Sequence, residues 1–395
     1  MKDFPDKLPA LSSLGKILFV GSAFPPSTGG SSVVMRELLR GFSADSYSVI
    51  SPRYLGVAAD SAEESRIYRV GAKRLWPARF AAWLRLLQIP FLVAKAVRFA
   101  RSQSPCAIVA PYPTLDTLLL ALIVAKNLKI SFYPYLHDTI AEAHEKSTLK
   151  WVARAIQWWV FRDAKRIMVM SEGMAELYKN KYNLSSVPIL HPYHETIVEK
   201  LDECNNGKLF WSGNIYGVND HSFMRIVKVA SKMGVTTVVA TLNSSVKEFL
   251  CDLKEKGCLI EITSYQKRED YIKALRLQMA HILVLNDSSL SEWGDEELST
   301  AFPTKTPEFL ASGRPILVMC PERYSLAKFF HKYNCGLFLS SRSTDGEIER
   351  GIMKIMMGDK EVLGWRRNAM KTARMFDANS VARKFRMTLN PNLAV

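Results

Sequence analysis

The sequence predicts an α/β protein made of two successive doubly wound domains. Short apolar runs typical of buried strands alternate with helical patterns in both halves of the chain, which indicates parallel sheets covered by helices. Each half opens with such a run followed by a glycine, Gly21 in the first half and Gly213 in the second. The 395 residues also exceed what one hydrophobic core usually supports, so two domains are expected.

The first half begins with a predicted strand at 16–20 and a loop at 22–30 that contains two prolines and two glycines. Ser31 or Ser32 is expected to cap the helix that follows, because apolar residues then recur at helical spacing. Further strands are predicted in this half at 47–50, 107–110, 130–136 and 166–170.

A break in the pattern at 187–206, with two prolines and an Asn-Gly pair, marks the expected domain boundary. Strands are predicted in the second half at 208–211, 236–240, 259–262, 282–285, 316–319 and 336–339. A ligand of this fold class is expected at the carboxyl ends of the strands.

Composition restricts the classes of function. Hydrophobic residues make up 48% of the chain and charged residues 23%, as in folded globular proteins. The six cysteines form no Cys-x-x-Cys pair, so we expect thiols in a reducing compartment, without a disulfide framework or structural zinc. Neither a signal-peptide pattern nor an uncharged apolar run of about 18 residues is present. The net charge of +15 favours an anionic membrane, a nucleic acid or a polyanionic substrate as partner.

The loop after the first strand ends in Gly29 and Gly30. Two glycines at a helix start allow backbone N–H groups to approach a ligand, and the helix dipole favours an anion there. The glycine spacing does not match the Gly-x-Gly-x-x-Gly pattern of dinucleotide-binding enzymes. An ordinary flexible connection is the alternative interpretation.

The most informative segment is 302–316, FPTKTPEFLASGRPI. Thr304 or Thr306 is expected to cap a helix that ends before the strand at 316–319. Lys305 and Glu308 then lie beside one helix N-terminus, where an ammonium can hold a diphosphate and a carboxylate can accept hydrogen bonds from ribose hydroxyls. A capped surface helix with an ordinary i,i+3 ion pair is the alternative.

Residues 303–315 resemble the donor-binding signature of retaining glycosyltransferases of the GT-B type, family 4 (glycosyl transferases group 1). The strand, Pro-Pro, Gly-Gly and helix opening is similar to the first loop of that family. The resemblance implies two facing Rossmann-like domains with a cleft between them. Residues 1–195 would bind the acceptor, residues 196–375 the nucleotide sugar, and 376–395 would cross back to the first domain.

Residue by residue, the resemblance implies that Glu308 holds the donor ribose and that Lys305 lies near the donor phosphates. Thr304 belongs to the same donor-binding motif. Gly29 and Gly30 match the glycine loop that approaches the donor phosphate and sugar at the cleft.

His137, after the strand at 130–136, resembles the family histidine that contacts the transferred sugar, although a histidine at a strand end is more often a satisfied polar residue. Gly213 matches the glycine that opens the family's second domain. Two departures follow. Asn214 and Asp220 stand near positions where many members carry an arginine and a lysine. Thr300 stands where the family has the first glutamate of a Glu-x7-Glu pair.

The resemblance implies sugar migration with retention from a nucleoside diphosphate sugar to a glycan or lipid-linked acceptor, as in bacterial-type cell-surface polysaccharide or glycolipid synthesis in the cytoplasm. The leaving diphosphate gains charge in the transition state, so Lys305 and backbone amides would stabilise it. No Asp-x-Asp motif is present. We therefore expect neither a metal nor a cofactor besides the donor substrate.

The segment 73–101 is basic and aromatic and contains no acidic residue. It suggests an interfacial helix on the inner face of an anionic membrane, and 150–166 has a similar character. Solvated faces of two core helices are the alternative. The expected docking residues are Lys73, Arg74, Arg79, Trp83 and Arg85.

Two other classes of function compete. A catalytically silent sugar-nucleotide-binding or assembly subunit of the same fold is favoured by the missing basic residues and glutamate. A nucleic-acid-binding protein is suggested only by charge, and no recognisable nucleic-acid module supports it, so no nucleic-acid partner is expected. The pair His191 and His194 is expected to lie in a connecting loop rather than to bind a metal.

Overall fold

A computed structural model describes residues 15–25, 27, 29–53, 66–71, 78–201, 205–265 and 267–390. The chain forms two compact units. Unit 1 contains the residues up to 192 together with those from 378 onward, and unit 2 contains residues 193–377. The change from unit 1 to unit 2 falls inside the 187–206 segment. The five cysteines among the described residues are free thiols.

Unit 1 is a parallel seven-stranded sheet with strand order β3-β2-β1-β4-β5-β6-β7. Its elements up to the junction are β1 (Ile17–Val20), α1 (Gly30–Leu39), β2 (Tyr47–Pro52), β3 (Ile67–Val70), α2 (Ala78–Gln103), β4 (Ala107–Tyr112), α3 (Leu115–Leu128), β5 (Ser131–Leu136), α4 (Lys150–Asp163), β6 (Ile167–Val169), α5 (Glu172–Tyr182) and β7 (Ser186–Pro188).

The central strand β1 is buried on both faces, so each face of the sheet has its own core. Leu18 and Val20 pack into the core formed with α2, α3 and α4. Ile17 and Phe19 belong to the opposite core, which contains residues of α1 and of a last helix, α14 (Ala378–Leu389). The alternation follows from the two-residue repeat of a strand. Unit 1 is therefore completed by a helix that follows unit 2 in the sequence.

Unit 2 is a parallel six-stranded sheet with order β10-β9-β8-β11-β12-β13. Its elements are β8 (Leu209–Ser212), α6 (Asp220–Lys232), β9 (Thr237–Ala240), α7 (Ser244–Glu255), β10 (Ile260–Thr263), α8 (Arg268–Leu277), β11 (Ala280–Val284), α9 (Asp295–Thr300), α10 (Thr306–Ala311), β12 (Ile316–Cys320), α11 (Ser325–Tyr333), β13 (Leu337–Ser340), α12 (Asp345–Met357) and α13 (Lys360–Ala373).

The predicted fold class, two Rossmann-like α/β units with parallel sheets, is confirmed, whereas several local predictions were wrong. Strands β3 and β7, two short and partly exposed edge strands of unit 1, were not predicted. Helix α1 begins one residue before Ser31, its N-cap is Gly29, and neither Ser31 nor Ser32 caps it. Among the described residues, no helix combines the length and the hydropathy of a membrane span.

Candidate functional site

The candidate site of unit 2 lies at the carboxyl edge of its sheet. Strand β8 ends at Ser212 and is followed by Gly213, whose φ of +110° disfavours any residue with a side chain. A Cβ at this position would meet no atom within 4 Å, so the backbone here borders open space. The predicted glycine therefore lies at a strand end where a ligand can approach the main chain.

Helix α10 carries the predicted donor-binding residues. Its N-cap is Lys305, and no side chain caps it, so neither Thr304 nor Thr306 has the predicted capping role. Instead the Thr306 hydroxyl donates to the carbonyl of Pro303 at 2.7 Å and closes the preceding turn. Thr304 is half-buried in that turn. The Thr306 N–H also donates to the Pro303 carbonyl, at 3.0 Å, and Pro307 has no N–H, so the start of α10 offers few free backbone donors.

Glu308 lies one turn into α10 and is buried, with a side chain only 6% exposed. Its two carboxylate oxygens have separate partners. Oε1 lies 2.6 Å from Nη1 of Arg268, while Oε2 accepts from the Tyr271 hydroxyl at 2.8 Å and lies 3.3 Å from Nζ of Lys305. Burial would raise the pKa of this carboxyl, but the charges of Lys305 and Arg268 and the hydrogen bonds hold it below its ordinary value.

Two residues of this cluster, Arg268 and Tyr271, were not predicted. Both lie in the first turn of α8, and the Ser212 side chain hydrogen-bonds to Tyr271. Burial, and after it the charge of Glu308, raises the pKa of Tyr271 well above its ordinary value, so the phenol stays a donor. One signal was available in the sequence: a cation at a helix N-terminus is unfavourable and usually has an anionic partner.

The three residues that depart from the family pattern are polar, and each forms a hydrogen bond within unit 2. The exposed Asn214 accepts a hydrogen bond from Asn243 at 3.3 Å. Asp220 begins α6 and accepts from the Asn286 amide at 2.7 Å. Thr300, at the end of α9, is buried and donates to the carbonyl of Glu296 at 3.0 Å. None of these three side chains supplies a positive charge.

A buried histidine supports helix α10 from the sheet side. The ring of His281, on β11, stacks on Phe309 with centroids 4.5 Å apart, and its Nε2 lies 2.9 Å from the Ser312 hydroxyl. Burial and the nearby charge of Arg314 lower the pKa of His281 to about 3. The residue therefore packs as a neutral ring, and it orients the helix that carries Glu308.

In unit 1, the glycine loop leads from β1 into α1. Packing requires a glycine at position 21, because a Cβ on Gly21 would lie 2.8 Å from the carbonyl oxygen of Pro111 on the adjacent strand. Gly29 and Gly30 are exposed at the start of α1, and a Cβ on Gly29 would meet no atom within 4 Å. No side chain caps α1, and the N–H groups of Ser32 and Val33 donate to the Gly29 carbonyl at 2.9 and 3.1 Å.

His137 lies directly after β5, at the same carboxyl edge of the unit 1 sheet as the glycine loop. Its ring contacts Tyr135 edge-on at 4.4 Å, and both ring nitrogens are buried without a hydrogen-bond partner among the described residues. Burial, with a smaller effect of His191, lowers the pKa of His137 to about 3. Burial also raises the pKa of the neighbouring Asp138 to about 6. A buried, unsatisfied imidazole is costly, which is typical of a side chain that meets a polar ligand.

The basic, aromatic segments form the outer faces of α2 and α4. On α2, Trp83, Leu87 and Phe91 follow one another at four-residue spacing and are exposed by 41, 66 and 78%. Arg85 is instead turned towards α3, with Nε 3.7 Å from Asp116. Lys73 and Arg74 lie outside the described residues, as does the side chain of Arg79.

On α4, Trp151, Trp158 and Trp159 are exposed by 73, 59 and 43%. The guanidinium of Arg154 lies over the ring of Trp151 at 5.0 Å, and that of Arg162 lies over Trp158 at 4.6 Å. We call Trp83, Leu87, Phe91, Trp151, Trp158 and Trp159 the aromatic surface.

The charged residues of the unit 2 site are suited to an anionic ligand. No group of three or more His, Cys, Asp or Glu side chains within the described ranges is placed to hold a metal ion. The unit 2 site instead offers two cations, a buried carboxylate and an exposed glycine backbone. It can bind a negatively charged group beside a hydroxyl-bearing one.

Comparison with known proteins supports the predicted resemblance. Residues 29–190 match the model of the glycosyl transferase 4-like domain. No curated protein matches the sequence significantly.

Among solved structures, HepE from Anabaena in complex with UDP superposes with a TM-score of 0.68 at 15% identity, over 95% of this chain and 100% of the other. Sucrose-phosphate synthase from Thermosynechococcus elongatus superposes with a TM-score of 0.69 at 13% identity, over 96% of this chain and 99% of the other. WaaG, a glycosyltransferase involved in lipopolysaccharide biosynthesis, superposes with a TM-score of 0.62 at 13% identity, over 95% of this chain and 99% of the other. The fold is therefore that of GT-B glycosyltransferases.

Proposed function

From the glycosyl transferase 4-like domain at residues 29–190 and the GT-B fold, we propose that this protein transfers a sugar from a nucleoside diphosphate sugar to a glycan or lipid-linked acceptor, with retention at the anomeric carbon. The role belongs to bacterial-type cell-surface polysaccharide or glycolipid synthesis in the cytoplasm. WaaG and the UDP complex of HepE support an acceptor and a donor of these classes.

The observation that carries the proposal is the set of contacts around Glu308. A carboxylate that is buried yet ionised can accept hydrogen bonds from two ribose hydroxyls, and Lys305 beside it can pair with a phosphate. Gly213 leaves room for the donor at the adjacent strand end. Together these groups match a ribose joined to a diphosphate.

The proposed chemistry needs stabilisation of a leaving group rather than a protein nucleophile. As the bond from the anomeric carbon to the phosphate oxygen breaks, the nucleoside diphosphate gains negative charge. Lys305, whose Nζ lies 3.3 Å from Glu308, would stabilise that charge together with backbone N–H groups of the donor site. The acceptor oxygen forms its bond on the same face, and its proton passes to the leaving phosphate oxygen. His137 would contact the transferred sugar.

The test is release of nucleoside diphosphate from UDP-, GDP-, ADP- and dTDP-sugars in the presence of membrane extract. Lys305→Ala and Glu308→Gln each remove a charge-assisted interaction worth roughly 1.5–3 kcal/mol. We expect kcat/KM to fall at least about 10-fold in each variant.

The matched controls are Lys256→Ala and Asp252→Ala, which break an exposed ion pair of 2.6 Å at the end of α7 in the same unit. These controls should retain full turnover. Unchanged turnover in Lys305→Ala and Glu308→Gln would refute the site.

A catalytically silent sugar-nucleotide-binding subunit is the second candidate, favoured by Asn214, Asp220 and Thr300. It predicts a rise in thermal stability with one nucleotide sugar, because a ligand bound only by the folded state stabilises it, but no release of nucleoside diphosphate. Binding together with turnover therefore excludes this candidate.

Docking to the inner face of an anionic membrane is the remaining part of the proposal. The aromatic surface supports it, because Trp and Phe side chains partition into the headgroup region while Arg154 and Arg162 attract anionic lipids. A lipid-linked acceptor would be held at that interface.

Sedimentation with phosphatidylglycerol-containing and phosphatidylcholine vesicles tests this docking. We expect the wild-type protein to bind the anionic vesicles preferentially, and the Trp151→Ala/Trp158→Ala variant to lose most of that binding. Met356→Ala/Met357→Ala, which changes exposed side chains on α12 of unit 2, is the control. Equal binding of wild type and the tryptophan variant would contradict docking through this surface.

A further inference from the structure

Arg268 is the one residue of the Glu308 cluster that the sequence did not suggest and that carries a full positive charge. It starts α8, where the helix dipole opposes a cation. Its Nη1 lies 2.6 Å from Glu308 and its Nε lies 3.4 Å from Glu195. The side chain is 35% exposed, so the guanidinium reaches both the buried carboxylate and solvent.

The position of Arg268 relative to the predicted phosphate groups follows from Tyr271. The guanidinium of Arg268 and Nζ of Lys305 each lie 5.2 Å from the centre of the Tyr271 ring. The Tyr271 hydroxyl contacts Ser212, the residue immediately before Gly213. Tyr271 therefore contacts both cations with its ring, and with its hydroxyl it contacts the end of β8, where the backbone borders open space.

The buried carboxylate of this site faces two cations. Glu308 balances only one of them, and the second carboxylate, Glu195, pairs with Arg268 at 3.4 Å from a partly exposed position, where solvent weakens the pair. Asn214 and Asp220 stand near the positions where many family members carry an arginine and a lysine, and neither supplies a cation. An arginine offers five N–H donors in a planar arrangement that matches phosphate oxygens, more than Glu308 alone can use.

Building on the proposed function, we propose that Arg268 is the second cation of the donor diphosphate site and that Glu308 holds it in place until the donor binds. When the nucleotide binds, its phosphate oxygens replace Glu308 as the partners of Arg268 and Lys305. The ribose hydroxyls then donate hydrogen bonds to the Glu308 carboxylate. Each charged group thus has a partner both before and after binding, which avoids leaving a buried charge unpaired.

A purely structural role for Arg268 makes a different prediction. If Arg268 only fixed Glu308, its removal would disturb the ribose contact, and a nucleoside would lose affinity as much as its diphosphate does. If Arg268 contacts phosphate, the loss is confined to ligands that carry the diphosphate.

The experiment measures binding of UDP, ADP, GDP and dTDP, each beside its parent nucleoside, to wild type and Arg268→Gln by calorimetry. We expect Arg268→Gln to weaken nucleoside diphosphate binding at least about 10-fold, which is the effect of one lost charge-assisted contact, and to leave nucleoside binding within about 2-fold. Arg268→Lys keeps the charge without the planar geometry, so its affinity for nucleoside diphosphates should lie between those of wild type and Arg268→Gln.

Arg276→Gln is the control, because Arg276 lies at the far end of the same helix and donates to the carbonyl of Thr196 at 2.6 Å. It should bind like wild type. Equal loss of nucleoside and diphosphate binding in Arg268→Gln, or no loss at all, overturns the inference while the proposed function stands. A wild-type protein that binds none of the four diphosphates overturns both.

Discussion

Acidification should loosen helix α10, because the buried His281 packs against it as a neutral ring. The pKa of His281 is about 3 in the folded protein and about 6.5 when the chain is unfolded. The unfolded state therefore binds the proton more tightly. The stabilising effect of the neutral ring is complete above pH 6.5 and is lost as the pH falls towards 3.

The magnitude follows from the two pKa values. At pH 5 the difference in proton binding lowers the free energy of unfolding by about 2 kcal/mol relative to pH 7. Carboxylates with ordinary or lowered pKa values remain ionised over most of this range, so their contribution is small. The effect is expected at α10, since His281 contacts both Phe309 and Ser312.

Hydrogen exchange of residues 306–312, corrected for the pH dependence of intrinsic exchange, measures this local stability. Wild type should lose about 2 kcal/mol of protection between pH 7 and pH 5. His281→Gln, which cannot take up a proton in this range, should be less stable at pH 7 but should lose little more at pH 5. The same loss in both proteins, or none in wild type, would refute the reasoning.

Three further predictions concern the same unit. Gly313→Ala should lower stability by about 1–2 kcal/mol in thermal or urea unfolding, because φ is +72° and the new Cβ would lie 3.3 Å from Val198. Gly364→Ala, in open space within α13, should instead stabilise by roughly 0.5–1 kcal/mol, and the same sign for both variants would contradict this account. Tyr271→Phe removes a hydrogen bond to the buried Glu308 and should raise the pKa of that carboxyl; an unchanged pH profile of donor binding would argue against it. EDTA should leave sugar transfer unchanged if Lys305 and Arg268 hold the diphosphate, and loss of turnover that Mg²⁺ or Mn²⁺ restores would show that a metal takes part.

The central strands could be predicted from the sequence because burial on both faces leaves a continuous apolar run. Ile17–Val20 and Ile316–Cys320 are examples. The edge strands β3 and β7 were not predicted because β3 has four residues that include Arg69 and β7 has only three, so neither forms a recognisable apolar run. The register of hydrogen bonds and the packing of both cores required the structure.

The candidate site was predictable only as far as its local motif. Lys305 and Glu308 are three residues apart on one helix, so their proximity follows from helix geometry. The contact between Arg268 and Glu308 joins residues 40 positions apart on different helices, and no local pattern encodes it. The capping prediction for Thr304 and Thr306 was wrong because the Thr306 hydroxyl satisfies the Pro303 carbonyl instead.

The placement of α14 in unit 1 has a consequence for synthesis on the ribosome. Domains generally fold as they emerge, the first one earliest. Here Phe385 packs against Phe19 and Phe42, so one core of unit 1 remains incomplete until α14, which directly follows unit 2, has been made. Unit 2 is contiguous in sequence and can fold while unit 1 is still incomplete. The nascent chain thus exposes an apolar surface of unit 1 throughout the translation of residues 193–377, which is the period when a chaperone would be needed.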